Sequence, residues 1–159
     1  MLEQLSIARR IVTDGNEVIP AWRVGTAEGA WLVLTRFDPD KPEQRERALH
    51  LIRRFMAWKL DQSFVLSAET WLGSEITRTG EEAVLAVGTS RTEHLGVLQR
   101  IRRDGRVTFG PLEWISPEQM DDTYWTMLPR REESIDAAEA EALASIFGES
   151  GELPARRID

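Results

Sequence analysis

The run Phe64-Val65-Leu66-Ser67-Ala68-Glu69-Thr70-Trp71 places a carboxylate inside a strand-like, mostly apolar stretch, between a serine and a tryptophan. A carboxyl in an apolar setting is a candidate general acid or base, and Ser67 beside it is a further catalytic candidate. The alternatives are an ion pair with an arginine of a neighbouring strand, Arg100 or Arg102, and a solvated sheet face. Arg91-Thr92-Glu93-His94 offers a second constellation, an imidazole next to a carboxylate, which in a catalytic site can be an orienting pair. A histidine in a surface turn has the same pattern. Neither constellation is accompanied by a recognisable nucleophile motif, because Gly88-Thr89-Ser90 is not a Gly-x-Ser-x-Gly elbow.

Other chemistries find less support. The chain has no cysteine, which removes disulfides, thiol nucleophiles and cysteine-bound metal clusters. Its only histidines, His50 and His94, are far apart, so the sequence points to no metal site and no cofactor. The acidic pairs Asp38/Asp40, Glu81/Glu82 and Asp121/Asp122 have the donors that Mg²⁺ takes, but such pairs also cap helices and solvate turns. Gly73, Gly80 and Gly88 match no phosphate-binding fingerprint.

Several elements must position these residues. Asp40-Lys41-Pro42-Glu43 carries a capping carboxylate, a first-turn proline and a glutamate three residues after the cap. Behind it, Ala48, Leu49, Ile52, Phe55, Met56 and Leu60 form one apolar stripe, predicting a helix over about 42–60. Its polar face would carry Glu46, Arg47, His50, Arg53, Arg54 and Ala57. A shorter amphipathic helix is expected over 2–13, ended by Asp14-Gly15. Strand patterns cover 18–24, 30–37, 63–72, 82–88, 93–103 and 106–109. The strand–helix–strand order around 30–72 suggests a parallel pair joined by a right-handed crossover. Asp104-Gly105 predicts a two-residue hairpin with Arg103 opposite Arg106 and Ile101 opposite Thr108, although a one-residue slip would exchange the faces. Ser116-Pro117-Glu118-Gln119 opens a short helix running to about Met127, and a last helix is expected over 135–147, with Gly148 as its stop. The final eleven residues read as a disordered tail. The fold class is therefore α+β: a mixed, mostly antiparallel sheet of about six strands, one long helix across a face, and helices at both ends. The chain divides into an α+β domain over 1–128 and an acidic C-terminal helix with its tail over 129–159.

Residues 62–72, with the strands up to Pro111-Leu112-Glu113, resemble small uncharacterised proteins of bacterial and phage genomes. Their centre reads small–Glu–x–Trp, as Ala68-Glu69-Thr70-Trp71 does, and Gly110-Pro111-Leu112-Glu113 has the same look. The resemblance implies a phage or mobile-element setting and no particular activity.

Length and charge bound what remains. One domain of 159 residues can bury about two-thirds of the surface its unfolded chain exposes. No cationic leader precedes an apolar run at the N-terminus, and no stretch approaches the roughly 20 apolar residues that span a bilayer, so a soluble cytoplasmic protein is expected. Eighteen of the twenty basic residues are arginine, a bias typical of GC-rich genomes. The net charge of −7 is segregated: residues 41–60 carry net +4, 91–106 net +3, and 107–159 net −8. Such a balance argues against non-specific nucleic-acid binding. The two basic blocks would make a positive patch if they met in space. The closing helix has an apolar stripe, Ala138, Ala142, Leu143, Ile146 and Phe147, on a chain segment rich in acids such as Glu139. That stripe either docks on a partner, another copy included, or packs onto its own domain.

Two functions fit these features. The first is a non-enzymatic interaction or accessory protein that engages a protein partner through acidic and amphipathic surfaces, with Glu139, Leu143, Ile146 and Phe147 at the contact. The second is a small enzyme with a carboxylate-centred site on the sheet face around Glu69, served by Ser67, His94 or a neighbouring arginine.

Overall fold

A computed structural model describes residues 1–26, 29–36, 41–59, 63–74, 79–119, 127–130 and 133–158. It is an α+β fold: helices packed on an eight-stranded antiparallel sheet. Helix α1 is Leu2–Thr13 and α2 is Pro42–Trp58, while α3 is Ala137–Ile146. Strands β1 (Ala21–Thr26), β2 (Gly29–Leu34), β3 (Ser63–Ser74) and β4 (Thr79–Ser90) precede β5 (His94–Asp104). Then come β6 (Arg106–Phe109), β7 (Glu113–Ile115) and β8 (Ala155–Ile158). The sheet order is β6-β5-β4-β3-β1-β2-β8, with β7 also paired to β5.

The expected parallel pair does not form. Strands β2 and β3 run in the same direction, but β1 is inserted between them and pairs antiparallel with both. The α2 connection therefore crosses over β1. The physical reason is local: β1 and β2, adjacent in sequence, pair with each other, which leaves the other edge of β1 for β3.

The sheet is covered on both faces. On one, Leu5, Ala8 and Val12 of α1 pack with Val84, Ala86, Val97 and Ile101 of β4 and β5. On the other, Ile52, Phe55 and Met56 of α2 meet Trp22, Val24, Val33, Phe64 and Leu66 of β1–β3. The C-terminal segment belongs to this second core, for Leu143, Phe147, Leu153 and Ala155 are buried in it. Phe147 lies 4.5 Å from Phe55, ring centre to ring centre. Residues Ala155–Ile158, expected to be disordered, form a strand on the free edge of β2. Asp136 caps α3 by accepting a 2.8 Å hydrogen bond from the Glu139 backbone N–H.

Helix α2 is more enclosed than its stripe predicts. Ala57, assigned to the polar face, is buried. Arg53 and Arg54 reach across to Glu133 and Glu139 of the C-terminal segment. Lys41 occupies the N-cap position and Pro42 the first helical position, and the capping role expected of Asp40 lies outside the described residues. So does most of the helix expected up to Met127, of which a short 3₁₀ turn at Pro117–Gln119 is described.

The hairpin at Asp104-Gly105 is tighter than expected. Asp104 pairs with Arg106, Arg103 with Val107 and Ile101 with Phe109, one residue off the predicted register. This register places Val107 and Phe109 against the α1 core, where the predicted one would have placed Thr108. After Phe109, the residues Gly110-Pro111-Leu112 insert one extra residue opposite β5 before β7 resumes the pairing at Leu98 and Glu113. This is a β-bulge, a position that tolerates the missing N–H of Pro111.

Candidate functional site

Strand alternation decides what Glu69 can touch. Ser67, Glu69 and Trp71 lie on the α1 face of β3, opposite Ala86, Val84 and Glu82 of β4. On β5 that face carries the odd-numbered residues Val97, Gln99, Ile101 and Arg103, so Arg100 and Arg102, the expected partners, point to the other side. Arg103 fills the role. Its Nη2 donates to Glu69 Oε1 at 3.1 Å, and its Nε donates to Glu82 Oε2. Those bonds, the one to Glu82 foremost, hold the guanidinium above the ordinary arginine value against the cost of burial. The second oxygen of Glu69 is 3.4 Å from the Val18 backbone N–H. The Glu69 side chain retains 18% of its exposure, partly open to solvent.

The opening beside Glu69 is a cleft of about 390 Å³. It lies where β3 runs on past Ser67, the last residue paired with β1 on that side. One wall is a helical stripe of α2, Arg45, Ala48, Leu49 and Ile52, at steps of three and four residues. The floor is apolar, from Trp22, Leu66 and Ala68. Segment Gly15–Pro20, leading from α1 into β1, forms the rim together with Thr35. The Trp22 indole N–H donates to Thr35 Oγ1 at 3.3 Å and the Thr35 hydroxyl donates to the Pro20 carbonyl at 3.1 Å. These bonds tie the rim to the floor. The lining drawn from the α1 face of the sheet is acidic, with Glu69, Glu82 and Arg103 beside Trp71. All four residues of the Ala68-Glu69-Thr70-Trp71 run line the cleft.

The other candidates lie elsewhere. Ser67 is 3% exposed, closed in between β1 and β4, and does not line the cleft. His94 faces Thr89 on the α2 side of the sheet. Glu69 faces Val84, five residues further along β4 on the other side, about 17 Å at a strand's rise. His94 and Glu69 therefore do not share a site. Burial lowers the His94 imidazole below the ordinary histidine value. Glu81 and Glu82 diverge, Glu81 binding Arg100 on one face and Glu82 binding Arg103 on the other, so the pair cannot grip one ion. Among the described residues no cluster of three metal-ligating side chains occurs. Asp38/Asp40 and Asp121/Asp122 lie outside them.

In the C-terminal stripe, Leu143 and Phe147 are buried, Ile146 packs against the same core, and Glu139 is held by Arg54. Of the two readings the sequence left open, packing onto the chain's own sheet is the one found. Acids meet part of each basic block: Arg47 by Glu152, Arg53 by Glu133, Arg54 by Glu139, Arg100 by Glu113 and Glu81, Arg103 by Glu69 and Glu82. Part of the charge segregated along the sequence is thus complementary charge within the fold.

Arg45, like Glu17 and Thr35, lines the cleft without having stood out in the sequence. Its signal was its place at the head of the stripe Ala48-Leu49-Ile52, rather than on the solvated face with Arg47. Among the described residues no helix is long and apolar enough to cross a membrane. No family model, curated protein or solved structure matches this chain.

Proposed function

We propose that this chain is a binding protein for a small organic molecule, taken into the cleft between α2 and the end of β3. The observation that carries this reading is the cleft itself. A cavity of about 390 Å³ with an apolar floor and a few converging polar groups has the dimensions and lining of small-molecule sites. The carboxylates serve recognition. Glu69 and Glu82 are both engaged by Arg103, Ser67 is buried and does not line the cleft, and His94 lies on the other face of the sheet. The test is an NMR screen of small aromatic and aliphatic compounds against protein labelled at its indole nitrogens. Saturable shifts confined to the Trp22 and Trp71 resonances, and weakened by Trp71→Ala, are expected. Failure of every compound to move those two signals sinks the proposal.

A second reading, contact with a protein partner, is favoured by a different observation. Trp114 of β7 is 59% exposed, and Leu95, on the same face of the adjoining strand, is 46% exposed. On this reading Trp114→Ser leaves the fold intact and abolishes association in sedimentation experiments.

A further inference from the structure

The charges on the cleft walls narrow the class of ligand, an inference that rests on the reading of the cleft as a binding site. Five arginines are half-buried among the described residues: Arg23, Arg45, Arg53, Arg54 and Arg100. Four of them bind a carboxylate, namely Glu3, Glu133, Glu139 and Glu113. Arg45 has no carboxylate partner among the described residues, and it lines the cleft. A guanidinium drawn partly out of water, with five donors in a planar fork, suits a carboxylate or another planar anion. Among the other charged residues of the lining the balance is reversed. Glu17, Glu69 and Glu82 line the cleft with one further guanidinium, that of Arg103. Glu69, Glu82 and Arg103 come from the α1 face of the sheet and Arg45 from α2 on the other face. Those acids carry surplus negative charge and spare acceptor lone pairs, which suit an ammonium group. The apolar part of the lining is Trp22, Leu66 and Ala68 with Leu49.

We infer that the ligand is a small amphoteric molecule of the amino-acid type. Its anionic group binds Arg45, its apolar body lies over Trp22 and Leu49, and its ammonium group faces Glu69 and Glu82. Opposite charges supplied by different elements also set the ligand's orientation, and a molecule bearing one charge alone leaves the other unanswered.

Three matched probes test this by calorimetric titration: L-phenylalanine, its amide, which keeps the ammonium alone, and 3-phenylpropanoate, which keeps the carboxylate alone. The full chain should bind L-phenylalanine at least about tenfold tighter than either of the others. Arg45→Gln should erase the preference over the amide, and Glu69→Gln the preference over 3-phenylpropanoate. Arg45→Gln breaks no ion pair among the described residues, so its circular dichroism and melting temperature should match the parent's. Equal binding of the three probes, or a preference that survives Arg45→Gln, overturns the inference. If other compounds shift the Trp22 and Trp71 signals while these three do not, the ligand class is wrong and the cleft reading stands. If no compound shifts them, both fall.

Discussion

Glu133 and Glu139 bind Arg53 and Arg54, linking the C-terminal segment to α2 through side chains that are mostly shielded from water. The hydrogen bond from Arg53 holds the Glu133 carboxyl below the ordinary carboxylate value, and the bond from Arg54 does the same for Glu139. A carboxyl whose folded-state value is depressed contributes stability that is fully present above its unfolded value, near 4.5. That contribution is lost as pH falls below 4.5 and through the folded-state values. Urea midpoints should therefore drop as pH is lowered through this range, and the Glu133→Gln/Glu139→Gln double variant should show a shallower drop from a lower starting point at neutral pH. Equal acid sensitivity of parent and variant would contradict the assignment. At the same scale, Glu69 was legible as a singular carboxylate on a strand, because an acid among Val65, Ser67 and Trp71 breaks the pattern. Its partner was not legible. Choosing Arg103 over Arg100 or Arg102 requires the parity of β5, which depends on a pairing register that the sequence leaves one residue uncertain.

Among the elements, both long helices were visible in their apolar periodicity, and so were the strands from β1 to β6. The short pieces were not. β7 has three residues, and β8 has four without a hairpin signal such as the Asp104-Gly105 that marks the equally short β6. β8 forms only because the chain, turning after α3, is led back by Leu153 and Ala155 into the core and meets the open edge of β2. Sequence separation hid it. The parallel pair was misjudged for a related reason, since local order cannot show that β1 will occupy the place between β2 and β3. The long β3–β4 hairpin positions Glu69, Trp71 and Glu82, and Gly80 sits near its turn with φ of +112°. A Cβ there would lie 2.4 Å from the Leu72 carbonyl oxygen, far inside contact distance. Gly80→Ala should thus cost roughly 1–3 kcal/mol from backbone strain, with the clash in addition. Thermal unfolding measures that loss, and a melting temperature equal to the parent's would refute the geometry.

At the scale of the whole molecule, one sheet serves two separate cores. The α1 core is drawn from β4 and β5, and the α2/α3 core from β1–β3 and the C-terminal segment. Val12→Ala in the first and Phe147→Leu in the second should each cost about 0.5–3 kcal/mol. Because they share no neighbour, their combined cost should equal the sum to within about 0.5 kcal/mol, as read from chemical denaturation. A larger coupling would mean that the two faces communicate through the sheet. Leu143, Phe147 and Leu153, from beyond residue 128, share that second core with Phe55 and Trp22.

The interruption at Gly110-Pro111-Leu112 has a bearing on how copies of the protein behave when crowded together. An uninterrupted strand along the outer side of β5 would offer a long row of unpaired amides for another chain to extend. The bulge divides that border into pieces of four and three residues with a proline between them, and the opposite border, β8, is four residues bearing Arg156 and Arg157. Neither border gives an intruding strand enough continuous backbone to begin a fibre. Replacing Pro111 or deleting one residue of the bulge would therefore endanger solubility before it endangered folding.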